Sequence, residues 1–462
     1  MTVAEFITTV ADTLCGYPLF IALIGGGLFL FLYSGMISLR RLPAALRVIR
    51  EQQSVGKGEI SSLQALASVA GATVGMGNIA GVAIALVMGG PGAIFWMWIS
   101  AIIGMSTKYH EGVLAVKYRS HDAEGNPLGG TMHIIRNGLS RQWRFMASFF
   151  AVAGMFGTLC IMNANQLTEA TLNTASEFIN IQNITLAKTS IGIIIALIVG
   201  LVVLGGIKRI ATVASVIVPF MVTTYFVMVS YIIVTNLEQV PGVIASIFNE
   251  AFSLRAGWGA LAGVALIGAR RAALVNDAGI GTASIMHGSS ASREPVKEGL
   301  VAMLCPALDS GFVCTLTALA ILLCYPLGQH ADGLQGLTIA LQAFDNGIAG
   351  GRYMLMAVVA CFALSSMFSY SFYGRRCASY IFGERGARVY NWLFILSLVL
   401  FAVIPLQAAV GLCDLFYALM AFPTMLTLLM LGSQVKKETR RYFTTDKINL
   451  PKTIDIQPTQ GI

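Results

Sequence analysis

Charged side chains are scarce in this chain of 462 residues: Asp, Glu, Lys and Arg make up 11% of it, whereas 56% of its residues are hydrophobic. A soluble domain has about 25% charged residues, so this composition excludes an ordinary globular enzyme and a nucleic-acid-binding domain. The same apolar content excludes a disordered or collagen-like chain. Because the apolar runs are continuous rather than alternating, a membrane β-barrel is also excluded. We therefore predict an all-α polytopic membrane protein.

Motifs for covalent chemistry are also missing. The sequence contains no HExxH, GxSxG or P-loop pattern, which argues against hydrolysis and nucleotide use. The five histidines lack metal-ligand spacing, and the eight cysteines include no CxxC pair. We expect these cysteines to be small buried apolar residues. The absences together predict a protein that is not an enzyme and that uses no organic cofactor.

Eleven apolar runs are long enough to cross a bilayer, which requires about 20 apolar residues per helix. The first run is too long for a signal-peptide core and lacks a basic flank before it, so we expect it to be retained. The predicted spans, about 11 transmembrane helices, are Tyr17–Leu39, Ser61–Met88, Ala93–Val116, Phe145–Leu167, Thr189–Gly206, Ile210–Val234, Gly257–His287, Gly299–Tyr325, Tyr353–Tyr373, Val389–Pro405 and Ala408–Leu431.

Basic residues are distributed very unequally between the two sides of these spans. When the connections are assigned alternately, 25 of the 30 Lys and Arg residues, including Lys57, fall on one side. Only Lys188, Arg255 and Arg352 fall on the other. Because Lys and Arg accumulate in cytoplasmic loops, we predict a multi-pass plasma-membrane protein with its N-terminus outside and its C-terminus in the cytoplasm. The net charge of +8 is thus an orientation signal.

Two predicted spans contain glycine clusters at mid-membrane. The second span has a Gly-x-Gly element followed by Asn78, and the seventh has another preceded by Asn276. Interrupted spans at matching positions in two halves are typical of inverted-repeat transporters. We therefore predict two inverted five-helix repeats with broken helices 2 and 7. The predicted units are an N-terminal part with an accessory helix (1–60), the two repeats (61–235 and 236–431) and a cytoplasmic tail (432–462).

A break in a helix at mid-membrane exposes backbone groups that can bind ligands. A glycine-rich helix that unwinds frees N–H groups, which suit a carboxylate, and carbonyl groups, which suit Na⁺. Thr73, Asn78, Asn276 and Asp277 provide side-chain oxygens beside the breaks. The alternative, that the glycines only allow close helix packing, is favoured less because two matching spans share the pattern. For Asp277 two roles stay open: contact with a cation, ammonium group or proton, or capping of freed N–H groups.

Several sequence motifs resemble one transporter family. The runs GATVGMGNIAGVAIA, GGPGAIFWMW, GARRAALVNDAGIGTAS, EPVKEGLVAML and SSMFSYSFYGRRC are similar to those of the alanine/glycine:cation symporters, also called sodium:alanine symporters. The similarity extends from about Gly25 to Met430. It implies the leucine-transporter-like five-plus-five inverted-repeat fold with an extra helix at the front. It also implies symport of a small neutral amino acid with Na⁺, or in some members with H⁺.

The resemblance implies positions for two binding sites. The sodium site that it implies consists of the carbonyl groups of Gly71 and Val74 and the hydroxyl groups of Ser365 and Ser366. The two serines have an equally simple alternative, a hydrogen bond to the preceding helical turn. The predicted substrate site, to which we add Asn78 beside the break, consists of Met76, Gly77, Asn78, Asn163, Leu274, Val275, Asn276 and Tyr370.

Five positions in or beside these two sites depart from the family pattern. Asn163 replaces a Gln, Leu274 a Phe, Val275 a Ser, Asp277 a Glu and Tyr370 a frequent Trp. Because the Asn, Leu and Tyr are each smaller than the residue replaced, we hypothesise a substrate pocket that is roomier than an alanine carrier needs.

Other ionisable residues lie in or near the spans. We expect Lys108 and Glu111 to form a surface pair at the inner end of the third span, worth only tenths of a kcal/mol. Arg270 and Arg271 either pair with an acidic residue or line an outer vestibule. Asp309 and Asp414 are expected to be structural partners or to lie near water.

Three other functions compete with sodium symport. A proton-coupled symporter of the same fold would use Asp277 as the likeliest proton carrier. A non-transporting sensor would bind an amino acid without accumulating it. An ion channel is disfavoured because channels build pores from symmetric rings, which two inverted halves do not suggest.

Overall fold

The computed structural model describes residues 16–50, 61–252, 258–325 and 336–449. The predicted start of the seventh span at Gly257 lies outside these ranges, as do Lys57, Arg255, the first 15 residues and the end of the predicted tail from residue 450.

The described residues are almost entirely helical. One two-stranded antiparallel hairpin, Ser120–His121 with Pro127–Leu128, is the exception, and it pairs Ser120 with Leu128. Three π-helical turns, Ile21–Gly25, Gly77–Gly81 and Ala307–Val313, and a 3₁₀ turn, Arg141–Trp143, join some of the helices. The α-helices are α1 (Tyr17–Phe20), α2 (Gly26–Tyr33), α3 (Ile37–Arg40), α4 (Leu42–Arg50), α5 (Ser62–Thr73), α6 (Val82–Gly89), α7 (Gly92–Lys117), α8 (Thr131–Gly138), α9 (Phe145–Gly157), α10 (Ile161–Ala175), α11 (Ile184–Val203), α12 (Gly206–Thr235), α13 (Val240–Ala251), α14 (Trp258–Asn276), α15 (Thr282–Gly288), α16 (Pro295–Ala302), α17 (Leu304–Pro306), α18 (Cys314–Cys324), α19 (Leu337–Gly347), α20 (Gly351–Val403) and α21 (Leu406–Asn449).

Six helical stretches among the described residues are long and apolar enough to cross a membrane, and a bent helix pair adds a seventh. Their outer faces are apolar: on α11, for example, Ile194, Leu197 and Leu201 are more than half exposed. Exposed aliphatic side chains in this number are expected where lipid rather than water surrounds the helices. The prediction of a polytopic helical membrane protein is confirmed.

The first broken helix consists of α5 and α6. Ser61 begins α5 with a capping box, since its hydroxyl accepts the N–H of Gln64 while the Gln64 side chain accepts the N–H of Ser61. The helix ends where Val74 leaves helical geometry with a ψ of 87°. The chain resumes a helical course at the π-helical turn Gly77–Gly81, and the two parts are bent by 51°. The break thus lies at Val74 and Gly75, slightly before the predicted Met76 and Gly77.

The second broken helix consists of α14 and α15. Between them Asp277, Gly279 and Gly281 all have positive φ values, of 53°, 87° and 94°. Glycine adopts this left-handed conformation freely, and Asp is among the few other residues that tolerate it, because its short side chain forms local hydrogen bonds. The run NDAGIG therefore ends α14 and redirects the chain into α15.

Two long helices hold these breaks in place. The helix α7 packs against α14, α15 and α16, whereas α20 packs against α5 and α9 to α12. The helix α20 has 53 residues and contains one non-helical residue, Gly383 with a φ of 68°. The ninth predicted span falls within it, and the tenth does so up to Val403.

Candidate substrate and cation site between the two helix breaks

The two breaks face each other across a cavity of about 90 Å³. By the same measure one water needs roughly 10–15 Å³, so the cavity can hold several waters or a small ligand. Six of the eight predicted substrate-site residues line the cavity: Met76, Gly77, Asn163, Leu274, Val275 and Tyr370. They come from both broken helices, α10 and α20. The predicted coupling residue Asp277 lines it too, together with Tyr417 from α21.

Close packing of one break against the other depends on a glycine. A β-carbon placed on Gly77 would lie 3.1 Å from the Cγ2 atom of Val275, and one on Gly81 would lie 3.5 Å from the same atom. The first distance is tighter than ordinary van der Waals contact, so a larger residue at position 77 would push Val275 away. The wall formed by Val275 therefore sets how closely the two breaks approach.

A carboxylate and two phenols form a hydrogen-bonded chain on the cavity wall. Asp277 is 1% exposed, and its Oδ2 atom accepts hydrogen bonds from the Tyr370 hydroxyl and from Thr282 Oγ1 at 3.2 Å. The Tyr417 hydroxyl donates in turn to the Tyr370 oxygen at 2.8 Å, and the two rings are stacked. A buried carboxylate is stable only when it is hydrogen-bonded or paired with a cation. This chain of hydroxyl donors provides that stabilisation for Asp277 at the edge of the cavity.

Two asparagines brace the breaks rather than line the cavity. Asn78 accepts the N–H of Gly75 at 3.0 Å through Oδ1, and its Nδ2 atom donates to Cys314 Sγ at 3.5 Å. Asn276 accepts the N–H of Ala278 at 3.0 Å. Both side chains are fully buried. The expectation that Asn78 and Asn276 contribute to the substrate cavity is not met by this geometry, because each amide oxygen satisfies an N–H group that the break frees.

The prediction of a Lys108–Glu111 surface pair is wrong, because both side chains are fully buried in α7. Glu111 Oε1 accepts the N–H of Gly279, in the second break, at 2.6 Å. The burial follows from small residues on the same face of α7: a β-carbon on Gly104 would lie 3.2 Å from Ala278 Cβ. One on Gly112 would lie 2.9 Å from the backbone of the helix α16. The spacing of these two glycines around Lys108 and Glu111 is the sequence signal that indicates a close-packed face.

Three of the four predicted sodium-site residues, Gly71, Ser365 and Ser366, come together. Ser365 Oγ donates to the carbonyl oxygen of Gly71 at 2.9 Å, and Ser366 Oγ donates to the same oxygen at 3.2 Å. Ser366 also reaches the carbonyl oxygen of Ala72 at 3.0 Å, a contact that the sequence did not indicate. The alternative for Ser365 is realised as well, since it donates to Phe362 in the preceding turn at 3.0 Å. Two hydroxyls and two carbonyls thus converge just before the first break.

Ionisable groups beside the two breaks differ in exposure. Arg271 and Asp414 line the cavity, and Arg270 Nη2 lies 3.4 Å from Asp414 Oδ2. The side chains of that ion pair are 30% and 20% exposed. Beyond the second break, all seven residues of α15 are buried, and a fully buried contact of 2.7 Å joins His287 to Glu298. Arg270 thus pairs with an acidic residue, one of the two alternatives, whereas Arg271 lines the cavity between the breaks.

Comparison with known proteins identifies the family. The family model described as the sodium:alanine symporter family matches residues 1–455. This chain belongs to the sodium:alanine symporter family. It is 38% identical over 458 residues to an uncharacterised transporter of Haemophilus influenzae, which covers 97% of this chain and 98% of that protein. It is 35% identical over 451 residues to a sodium/alanine symporter of Methanococcus maripaludis, with 96% and 98% covered. A probable sodium/glutamine symporter of Bacillus subtilis is 30% identical over 438 residues, with 94% and 89% covered.

Membership of the sodium:alanine symporter family confirms the resemblance found in the motifs. The family consists of sodium-coupled amino-acid symporters, so the protein is a transporter and not an enzyme. The names of its relatives differ in substrate, alanine in one case and glutamine in another. Family membership alone therefore indicates that the substrate is an amino acid, but not which one.

Proposed function

We propose that this protein carries a small neutral amino acid inward together with Na⁺, by alternating access to the cavity between the two helix breaks. The single observation that carries the proposal is the position of this cavity, which is buried between two irregular backbone segments. In a membrane such backbone is tolerated only where protein or a ligand cavity satisfies its polar groups. Transporters with interrupted helices bind their cargo at such points.

The amino acid would bind with its carboxylate toward the start of the second half of the first broken helix. Met76 and Gly77 begin that half, and the first N–H groups of a helix lack acceptors within the helix. Those N–H groups and the positive end of the helix dipole favour a carboxylate. Leu274, Val275 and the Tyr370 ring would then surround the side chain of the amino acid. The carboxylate of Asp277 is the anionic group on the wall toward which an ammonium group would turn.

The sodium ion would bind at the carbonyl groups of Gly71 and Val74 and at the hydroxyls of Ser365 and Ser366. Na⁺ is a hard cation that prefers oxygen ligands. The proposal is supported by the contacts of both hydroxyls with the Gly71 carbonyl, which bring three oxygens together in the first half of the first broken helix. Because these oxygens adjoin the break that forms the substrate cavity, occupancy by Na⁺ would stabilise the backbone geometry that binds substrate.

We assign eleven spans arranged as an accessory helix and two inverted repeats of five. The non-helical Gly383 divides α20 into stretches of 32 and 20 residues, about 48 and 30 Å long, and each can cross the 30 Å hydrocarbon layer, so α20 supplies two spans. The stretch from α1 to α2, the helix α7 and the pair α14 with α15 supply the other three beyond the seven apolar stretches. The unit boundaries stay at 61–235 and 236–431.

The proposed orientation indicates which end of the cavity faces outward. With the N-terminus outside and the C-terminus in the cytoplasm, the Arg270–Asp414 end of the cavity faces outward. That end is the more exposed one, whereas α15 and the His287–Glu298 contact seal the inner end. The structure then corresponds to a carrier that is accessible from outside and closed toward the cytoplasm.

Reconstitution of the full chain in liposomes tests the proposal. An inward Na⁺ gradient is imposed, and the uptake of labelled alanine, glycine, serine, glutamine and leucine is measured. We expect at least one of them to accumulate above equilibrium and accumulation to stop when K⁺ replaces Na⁺. Uptake driven by a pH gradient without Na⁺ would instead identify the proton-coupled carrier. Binding without accumulation under either gradient would identify a sensor and refute transport.

A further inference from the structure

A second cavity, which shares no lining residue with the first, is a basic groove between the end of α2 and the last helix α21. Its volume is about 720 Å³. The Arg41 guanidinium lies 3.8 Å from the centre of the Phe443 ring, and the Lys436 ammonium lies 4.5 Å from that of Tyr33. None of the described residues that line the groove is acidic. Its four cationic residues are Arg40, Arg41, Lys436 and Arg440.

Among the described residues, the cations of this groove differ from their neighbours in having no carboxylate partner. No salt bridge to any of the four is found within the described ranges. On the other side of α21, by contrast, Arg441 lies 2.6 Å from Glu294 and 3.1 Å from Glu438. Lys117 of α7 is likewise 2.9 Å from Glu438. Within the described residues, Arg441 and Lys117 are thus neutralised by carboxylates, whereas the four cations of the groove are available to an external anion.

An apolar groove of about 640 Å³ continues the same seam between these helices. The first helical stretch lines this groove with Ile21, Ala22, Gly25 and Gly26, and α21 lines it with Phe422, Leu426 and Leu429. Phe145 and Phe149 of α9 line its side. Residues three or four apart lie on one face of a helix.

On α21, the sequence 422, 426, 429, 433, 436 and 440 follows this spacing from the apolar groove to the basic one. On the opposite helix, positions 22, 25, 29 and 33 follow it too. Phe29 and Tyr33, whose rings are stacked at 5.6 Å, connect the two levels. The grooves are therefore two levels of one amphipathic seam.

The spacing of the two levels matches one leaflet of a bilayer. Their centres are about 14 residues apart along α21, which is about 21 Å at 1.5 Å per residue. That is about half of the roughly 40–45 Å bilayer thickness that includes the headgroups. By the predicted orientation the basic level lies on the cytoplasmic side, where basic pockets between spans bind anionic lipid headgroups.

We propose that this seam is a binding site for an anionic phospholipid. The phosphate would lie against Arg40, Arg41, Lys436 and Arg440, and the acyl chains would follow the apolar groove beside Leu426 and Leu429. A lipid bound there would join the accessory helix to α21.

The test is native mass spectrometry of the full chain, delipidated in mild detergent and titrated with phosphatidylglycerol or phosphatidylcholine. We expect wild-type protein to retain phosphatidylglycerol in preference to phosphatidylcholine. A double variant, Lys436→Gln with Arg440→Gln, should bind phosphatidylglycerol about 30-fold more weakly, since each Lys or Arg near anionic lipid contributes about fivefold. The matched control, Arg47→Gln with Lys437→Gln, removes the same charge from exposed positions outside the groove and should bind as wild type does.

Two further variants separate the outcomes. Ala22→Trp fills the apolar level and should weaken phosphatidylglycerol binding while leaving the basic residues intact. If inorganic phosphate displaces the lipid completely and Ala22→Trp changes nothing, the groove binds free anions and the proposal is overturned. Equal retention of both lipids, or equal loss in the groove and control variants, also overturns it. Should Lys436→Gln/Arg440→Gln fail to fold, as judged by size-exclusion elution, Arg40→Gln/Arg41→Gln gives the same test.

Discussion

Replacing Ser366 with alanine tests the proposed sodium site while removing only one oxygen atom. The side chain is 1% exposed, and its hydroxyl reaches the carbonyl oxygens of Gly71 and Ala72 at 3.2 and 3.0 Å. When Na⁺ binds, that hydroxyl oxygen would turn toward the cation. Interactions of a polar group with a charged partner contribute about 1.5–3 kcal/mol. At about 1.4 kcal/mol per factor of ten, the half-saturating Na⁺ concentration should rise by about 10- to 150-fold.

A second serine on the same helix provides a matched control for this variant. Ser369, one turn further along α20, is fully buried and donates to the carbonyl oxygen of Ser68 at 2.9 Å. Ser369→Ala therefore loses a comparable contact with the first broken helix, worth about 1 kcal/mol of stability, but no ligand of the proposed cation site.

The assay is initial uptake in liposomes, measured over a range of external Na⁺ concentrations at fixed amino acid. Ser366→Ala should shift the Na⁺ dependence and keep its maximum rate at saturating Na⁺, whereas Ser369→Ala should not shift it. An unchanged half-saturating concentration in Ser366→Ala would refute the assigned site. Equal shifts in the two variants would show that loss of helix packing, not of a ligand, explains the effect.

Three further predictions concern the two helix breaks and the cavity between them. Glu111→Ala leaves the buried N–H of Gly279 without an acceptor, which costs about 1–3 kcal/mol, so the melting temperature and the uptake rate of this variant should fall. Glu111→Gln keeps an acceptor and should retain most of both. Identical behaviour of the two variants would contradict the bracing role of Glu111. Gly77→Ala should slow uptake by about 5- to 150-fold, since overpacking costs about 1–3 kcal/mol, and Val275→Ala in the same chain should restore it if their contact is the cause. Leu274→Phe should exclude glutamine from the cavity while alanine still enters, as measured by competition with labelled substrate. The hypothesis of a roomier pocket fails if alanine and glycine outcompete every larger amino acid in the wild type.

The positions of the two helix breaks could be predicted from sequence because their cause is local. Gly-x-Gly elements and an Asp that tolerates positive φ weaken a helix locally and so make a break there more favourable. The direction of each side chain in an irregular segment is not local, however. Asn78 and Asn276 therefore matched the expected chemistry but point toward N–H groups of the backbone, whereas Leu274 and Val275 reach the cavity.

Burial of charge was the feature that the sequence concealed. Lys108 and Glu111 look like the polar inner end of a span, and only the packing of the second break onto Gly104 and of α16 onto Gly112 encloses them. The same limit applies to α20, because the polar stretch between its two predicted spans reads as a loop. The structure nevertheless continues the helix through this stretch and interrupts it only at Gly383.

The central claim is that amino acid and Na⁺ bind to one coupled pair of sites at the first break. The most direct measurement is the affinity of purified protein for the amino acid that accumulates most strongly, with and without Na⁺, together with its affinity for Na⁺ with and without that amino acid. Linkage requires the two ratios to be equal, and we predict that both exceed tenfold in favour of joint binding. Amino-acid affinity that does not change with Na⁺ would contradict the account.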